Sequence, residues 1–340
     1  MRVILPEMSL WRHDLCECLH NCLGILLLHH GQDPELVLGA AWDFYYPPHD
    51  VRPEEYYYPC RWPTLVGSIV PYHPLTSCWH EPADAEQGWL QVKESLLCGR
   101  PAIVAVDNYY LPFRPAYQDV HTNHVVVVYG FDEQADSVFV MDPSPPAFQG
   151  SIRLATLQAA RSSENPALHE RDLFFTNQPI ANRWLAVDVG EPFPALCRSW
   201  VVSVLQANGQ RFRAQAETAA FSGLAGMEQY FGAAALHSVE ARGASAMDEL
   251  VLVSVAFQEA TALHADFLRA AGQRLHWWEL IEASRQVDLV AHDCTPIRIM
   301  AAKGRTDPEQ MRPRLASRFQ RLLADHATVL RNLECISESA

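Results

Sequence analysis

Residues 124–129 (HVVVVY), 130–136 (GFDEQAD) and 137–141 (SVFVM) decide the fold of the first half of the chain. The two outer runs are β-branched and aromatic, as strands are. The segment between them carries the Gly and Asp of a turn, so the stretch predicts an antiparallel hairpin. Residues 102–106 (AIVAV) and 184–189 (WLAVDV) have the same character and extend the sheet. Ahead of it the period is helical. Residues 17–30 (ECLHNCLGILLLHH) predict a helix closed by Gly31, and Asp33-Pro34 opens a second one running to about Trp42. Residues 84–99 predict a third, while 46–80, full of Pro and Tyr, predict an irregular packed loop. Helices followed by an antiparallel sheet make an α+β domain.

Working outward, the composition changes near Gly190-Glu191-Pro192. Beyond it Pro and aromatic residues thin out, and Ala, Leu, Arg and Glu fill periodic stretches at about 194–207, 214–236, 246–271, 275–302 and 307–333. The organisation predicted is an α+β domain over 1–190 and an all-α helical bundle over 191–340. A chain of 340 residues exceeds what one core usually serves, which agrees with two domains. Its formal net charge of −14 excludes a polyanion such as nucleic acid as the expected partner. Nine scattered cysteines do not form the dense framework of a small secreted domain. The N-terminus lacks a signal-type apolar region and no apolar run reads as long enough to span a bilayer. A cytoplasmic protein with reduced thiols is therefore expected.

The chemistry centres on Cys18, His124 and Asp142. Cys18 opens the first predicted helix, where the dipole and free N–H groups favour a thiolate and could hold an oxyanion. A lone cysteine there would more often be a small buried hydrophobe. His124 opens one strand of the hairpin and Asp142 closes the other, so the two meet side by side. An Asp in that position fixes the imidazole tautomer and steadies its cation. Alone, His124 would read as structural and Asp142-Pro143 as a turn starter. The joint order of Cys, His and Asp on helix start, strand start and neighbouring strand end is the papain-like arrangement.

The segments CLHNCLGILLLHHG (18–31), VDNYYLP (106–112), HVVVVYGFD (124–132) and VFVMDP (138–143) resemble the butirosin-biosynthesis acyltransferase family. The same Cys, His and Asp-Pro pattern is similar to that of the cysteine peptidase domains that process bacteriocin leader peptides. The resemblance covers about 1–190, with a helical extension after it. It implies a papain-like fold and transfer of an acyl group from a carrier-protein thioester to an amine, giving an amide in secondary-metabolite biosynthesis. In that reading Cys18 is the nucleophile, His124 the general base and Asp142 the orienting residue. Asp107 lies near the site as a substrate-binding residue facing the amine. No cofactor is implied, because a thioester is already activated. The peptidases carry a Gln a few residues before the Cys. Here Arg12, His13 and Asp14 stand in that stretch, which counts against the peptidase reading.

Several alternatives accompany this reading. Cys22 stands where the family usually has a small residue, and Cys16 is the second candidate nucleophile. The cluster His13, Cys16, Cys18, His20 and Cys22 could hold a metal, although no second Cys/His pair of zinc-finger spacing follows. Hydrolysis by a peptidase or thioesterase shares the acyl-enzyme, and a binding protein could keep only the fold. Trp277, Trp278 and Leu280 read as core. Tyr56, Tyr57, Tyr58 and Trp62 read as loop packing or the wall of an acyl pocket. Arg312, Arg314, Arg318 and Arg321 read as a solvated, salt-bridged face, with docking of an acidic carrier protein as the lesser alternative.

Overall fold

The computed structural model describes residues 1–48, 64–168, 177–214 and 220–339. The readings for Tyr56, Tyr57, Tyr58 and Trp62 fall outside these. By contacts the chain forms two compact units, Met1–Pro34 with Leu75–Val189, and Glu35–Pro74 with Gly190–Ala340.

The first unit is α+β. Its strands are β1 (Arg2–Ile4), β3 (Leu75–His80), β4 (Ala102–Asp107), β5 (Asn123–Asp132), β6 (Ser137–Asp142), β7 (Phe148–Arg153) and β8 (Trp184–Val189). β2 (Tyr45–Tyr46) and β9 (Phe221–Ser222) pair with each other in the second unit. Among the described residues the sheet has seven strands in the order β3-β8-β4-β5-β6-β7, with β1 also paired to β5, and every pairing is antiparallel. β4 is buried at every position and β5 at all but its last, which is why both read as unbroken apolar runs. β5 continues past the expected turn to Asp132, with a bulge between Val128 and Gly130. Gly130 permits this, because a Cβ there would sit 2.6 Å from the Val3 carbonyl oxygen on β1.

Among the described residues three helices complete the unit. α1 (Cys18–His29) packs on β5, α4 (Ala85–Leu97) is capped by Asp84, whose carboxylate accepts the Gln87 N–H at 2.8 Å, and α5 (Leu154–Arg161) follows β7. Val92 and Leu96 of α4 and Leu157 and Ala160 of α5 share one core with Val104, Val106, Val126 and Val128 of the sheet. The sequence reading missed β1, β3, β7 and α5. β3 lies in the stretch taken as irregular loop. Its sequence, LTSCWH, has little β-branched content, and its strand form rests on full-length pairing with β8.

In the second unit α2 (Pro34–Leu38) stops short of Trp42, the expected end. Trp42, Phe44 and Tyr46 are buried at a period of two, so this segment is extended and delivers three aromatic rings to one core. α3 (Leu65–Ile69) begins at Thr64, whose Oγ1 accepts the Gly67 N–H at 3.1 Å. The long helices are α6 (Arg198–Arg213), α9 (Ala244–Arg274), α10 (Trp278–Gly304) and α11 (Pro308–Ser339). The single helix expected over 214–236 is instead β9, α7 (Gly223–Gln229) and a π-helical turn (Tyr230–Ala234) leading into α8 (Ala235–Arg242). α9 is long and apolar enough to cross a membrane, unlike anything expected, but 67% of its most apolar window is buried, as in a core helix. Trp277 and Leu280 are core residues as read, whereas Trp278 is 62% exposed at the head of α10.

Candidate active site

The first turn of α1 is held by a polar staple. Asn21 is buried, its Oδ1 accepts the His13 N–H at 2.7 Å, and its Nδ2 donates to the carbonyls of Cys16 (2.9 Å) and Glu17 (3.2 Å). One side chain thus closes the loop 13–17 onto the helix and sets the entry angle at Cys18. The N-cap, Glu17, is extended and makes no side-chain cap, and the first turn contains no acidic residue. The positive end of the helix is therefore not offset by a side chain of its own first turn. One turn further on, Gly24 leaves room for the indole of Trp11, since a Cβ there would lie 2.0 Å from Trp11 Cε3.

Cys18, His124 and Asp142 come together. Cys18 is half-buried and close enough to the His124 ring to act on its charge. His124 Nε2 lies 2.9 Å from Asp142 Oδ2. Asp142 Oδ1 accepts the Ser144 N–H at 2.9 Å. Burial by itself would lower the His124 pKa. The charges of Asp142 and then Cys18, with the hydrogen bond to Asp142, outweigh burial and hold it at about 9. Burial would raise the Asp142 pKa, but His124, Arg114 and the Ser144 N–H together keep it below the usual carboxylate value. The imidazole is therefore a cation at neutral pH, flanked by a carboxylate and a thiol.

The other cysteines of the segment are placed differently. Cys22 is fully buried with Sγ 3.7 Å from the Val125 carbonyl, and burial first, then Cys18 and Asp142, raises its pKa well above the usual thiol value. It is a neutral packing thiol. Cys16 lies in the stapled loop, its N–H donating to the His13 carbonyl at 3.1 Å. Among the described residues no three His, Cys, Asp or Glu side chains converge to hold a metal, the His13–Cys22 cluster included.

Asp107 is at the end of β4 and wholly buried. Its Oδ1 accepts the N–H groups of Tyr109 (3.0 Å) and Thr122 (3.2 Å), and its Oδ2 meets His121 Nδ1 and Ser163 Oγ, each at 2.6 Å. Each carboxylate oxygen already has two partners, so Asp107 braces the approach to β5 and offers no oxygen to an amine. His121 is held flat against Tyr109, with ring centroids 4.1 Å apart.

Arg114 was not anticipated. It lies in the loop after the 3-10 turn Asn108–Tyr110, its side chain is 12% exposed, and Nη1 is 3.3 Å from Asp142 Oδ2. Nothing in the local pattern of residues 113–115 (FRP) signals this contact. Asn21 could have been found, because an Asn inside an apolar helix needs partners for its amide. A cavity of about 530 Å³ near the β3–β8 edge is lined by Cys78, His80, Glu94, Cys98 and Trp184 among others, and includes none of the three residues above.

Residues 17–143 match the family model described as Butirosin biosynthesis protein H, N-terminal, from the residue before Cys18 to the one after Asp142. Over this segment the chain is similar to that family. No curated protein matches the chain. The family suggests a biosynthetic enzyme of the acyltransferase kind, and the butirosin-type segment carries Cys18, His124 and Asp142 together.

Proposed function

We propose that Cys18, His124 and Asp142 form an acyl-transfer centre that moves an acyl group from a carrier-protein thioester to an amine, within a papain-like domain spanning about 1–190 and followed by a helical domain over 191–340. One observation carries this reading. The thiol at the head of α1 neighbours, and acts electrostatically on, an imidazole whose Nε2 is fixed by a buried carboxylate. Structural cysteines need no such partners, whereas an acyl-transfer nucleophile needs a base in reach and an orienter behind it.

In the first half-reaction the Cys18 thiolate attacks the thioester carbonyl. The Cys18–carbonyl bond forms, the bond to the carrier sulfur breaks, and the departing thiol takes the proton from His124. The N–H groups at the head of α1 stabilise the oxyanion. In the second, an unprotonated amine attacks the acyl-enzyme. His124, now neutral, takes its proton, the C–N bond forms, and Cys18 leaves as thiolate beside the restored imidazolium. Asp142 holds the ring throughout and steadies its charge. Asp107 acts indirectly, bracing the backbone that leads into β5. The setting we infer is the cytoplasm, where the thiols stay reduced, and bacterial secondary metabolism.

Incubation with acetyl, butyryl and glycyl thioesters of N-acetylcysteamine, followed by intact mass measurement, tests the proposal. An acyl adduct is expected in wild type, Cys16→Ala and Cys22→Ala, and none in Cys18→Ala. An adduct that survives Cys18→Ala, or none in any form of the protein, overturns it. Adding an alkylamine distinguishes amide formation from hydrolysis.

A further inference from the structure

Arg114 touches the same oxygen of Asp142 that His124 does. Nη1 of Arg114 is 3.3 Å from Oδ2, and Nε2 of His124 is 2.9 Å from it. The two cationic nitrogens therefore lie no more than about 6 Å apart across one carboxylate oxygen. This is a built position. Nη1 also donates to the carbonyls of Ser144 (3.0 Å) and Pro145 (3.3 Å), and the neighbouring Phe113 ring lies flat on Phe148 with centroids 4.1 Å apart. The loop is thus latched on both sides of the turn that follows Asp142.

A carboxylate shared between two cations stabilises each less than it would one alone. From the geometry we infer that Arg114 is a positioning residue that limits how strongly Asp142 holds the proton on His124, and so sets the pH range in which the Cys18 centre works. This rests on the acyl-transfer reading of the site. Both half-reactions need His124 to change state, giving a proton to the leaving thiol and taking one from the amine. An imidazolium with sole use of a buried carboxylate would be too weak an acid to give its proton to the leaving thiol in the first step near neutral pH. Arg114 offsets part of that carboxylate's charge.

Among the described residues the charged and titratable groups facing His124 are Cys18 from α1 and Asp142 from β6, with Arg114 acting through Asp142. Cys22, also on α1, is a neutral thiol there. Asp107 and His121 bond to each other and not to this group.

The test is titration of the His124 imidazole by NMR in the full-length protein, with the resonance assigned by its loss in His124→Asn. Arg114→Gln removes the charge and Arg114→Lys keeps it. Arg114→Gln should raise the His124 midpoint above wild type by roughly half to one pH unit, and Arg114→Lys should return most of that shift. The pH at which amide formation rises should move with the midpoint. Thermal melting separates this from loss of fold, since a latch with no electrostatic role would lower the melting temperature and leave the midpoint alone. An unchanged midpoint in folded Arg114→Gln overturns the inference. If Arg114→Gln does not fold, a midpoint in Arg114→Lys that departs from wild type as far as one pH unit overturns it too. The titration does not use an acyl donor, so failure of the acyl-transfer reading shows separately, as absence of the Cys18 adduct.

Discussion

At the residue scale, the pair His124–Asp142 decides how the site responds to pH. The His124 pKa is raised in the folded protein to about 9, against the ordinary value of about 6.5. Its contribution to stability is therefore complete below pH about 6.5 and is lost as pH rises through about 9. The pKa of Asp142 is lowered, so the same contact is lost at the acid end as pH falls through its folded value. Asp142→Asn removes the carboxylate that outweighs burial, and the His124 midpoint should fall below about 9. Acyl transfer should drop by about 10²–10⁴-fold, the usual worth of a positioned acid–base group. A rate within a few-fold of wild type, measured with the Cys18 adduct as readout, would refute the orienting role.

At the scale of elements, α1 and the loop before it act as one piece. The helix buries nine of its twelve residues, so its face toward the sheet is fixed by packing, and the loop is fixed by Asn21 and by Trp11 lying over Gly24. Gly24→Val would push the indole away. Overpacking of this kind destabilises by about 1–3 kcal/mol. Because the displaced loop is the one that sets Cys18, the rate of Cys18 alkylation by iodoacetamide should fall as well. Urea unfolding and the alkylation rate measured on the same preparation check both. A loss of stability with unchanged alkylation would show that the loop does not position the thiol. In the helical unit two of the four arginines of the α11 stripe, Arg312 and Arg321, are engaged. Arg312 pairs with Glu240 and Glu309, and Arg321 with Asp293 and Asp325. That favours the salt-bridged face over a basic docking stripe.

At the scale of the whole molecule, the two units draw on different physics. The first rests on a buried antiparallel sheet. The second rests on an aromatic core into which His264 and His326 are sealed. The Trp42 indole stacks on His264 with centroids 5.0 Å apart and lies 4.9 Å from His326, and its N–H donates to Thr261 Oγ1. Burial lowers the pKa of His264 to about 4 and of His326 to about 3. Both are neutral when folded and take up protons more readily when unfolded. Stability should therefore decline as pH falls below about 6.5 and continue to decline to about pH 3–4. His326→Phe keeps the ring volume and removes the proton site. Melting curves between pH 4 and pH 7 should show a shallower acid decline in that variant, and an equal slope would remove His326 as a cause.

Much of the α+β half was legible. The Val-rich runs, the capping residues Gly31 and Asp33-Pro34 and the Cys, His and Asp at element ends are short-range signals, because strand and helix periods come from local backbone geometry. From them the sequence alone determined the class of fold, the central strands, the long helices and the three residues that meet at the candidate site. Other features were decided only by tertiary structure. LTSCWH became an edge strand because β8 was there to pair with it, and Trp42, Phe44 and Tyr46 left the helical period because an aromatic core takes them at a period of two. Asp107 proved saturated by four local donors, and Arg114 reached Asp142 from a loop without pattern. Each of these depends on which distant groups compete for the same surface or the same oxygen. Such competition is a matter of three-dimensional distance, and no periodicity along the chain records it.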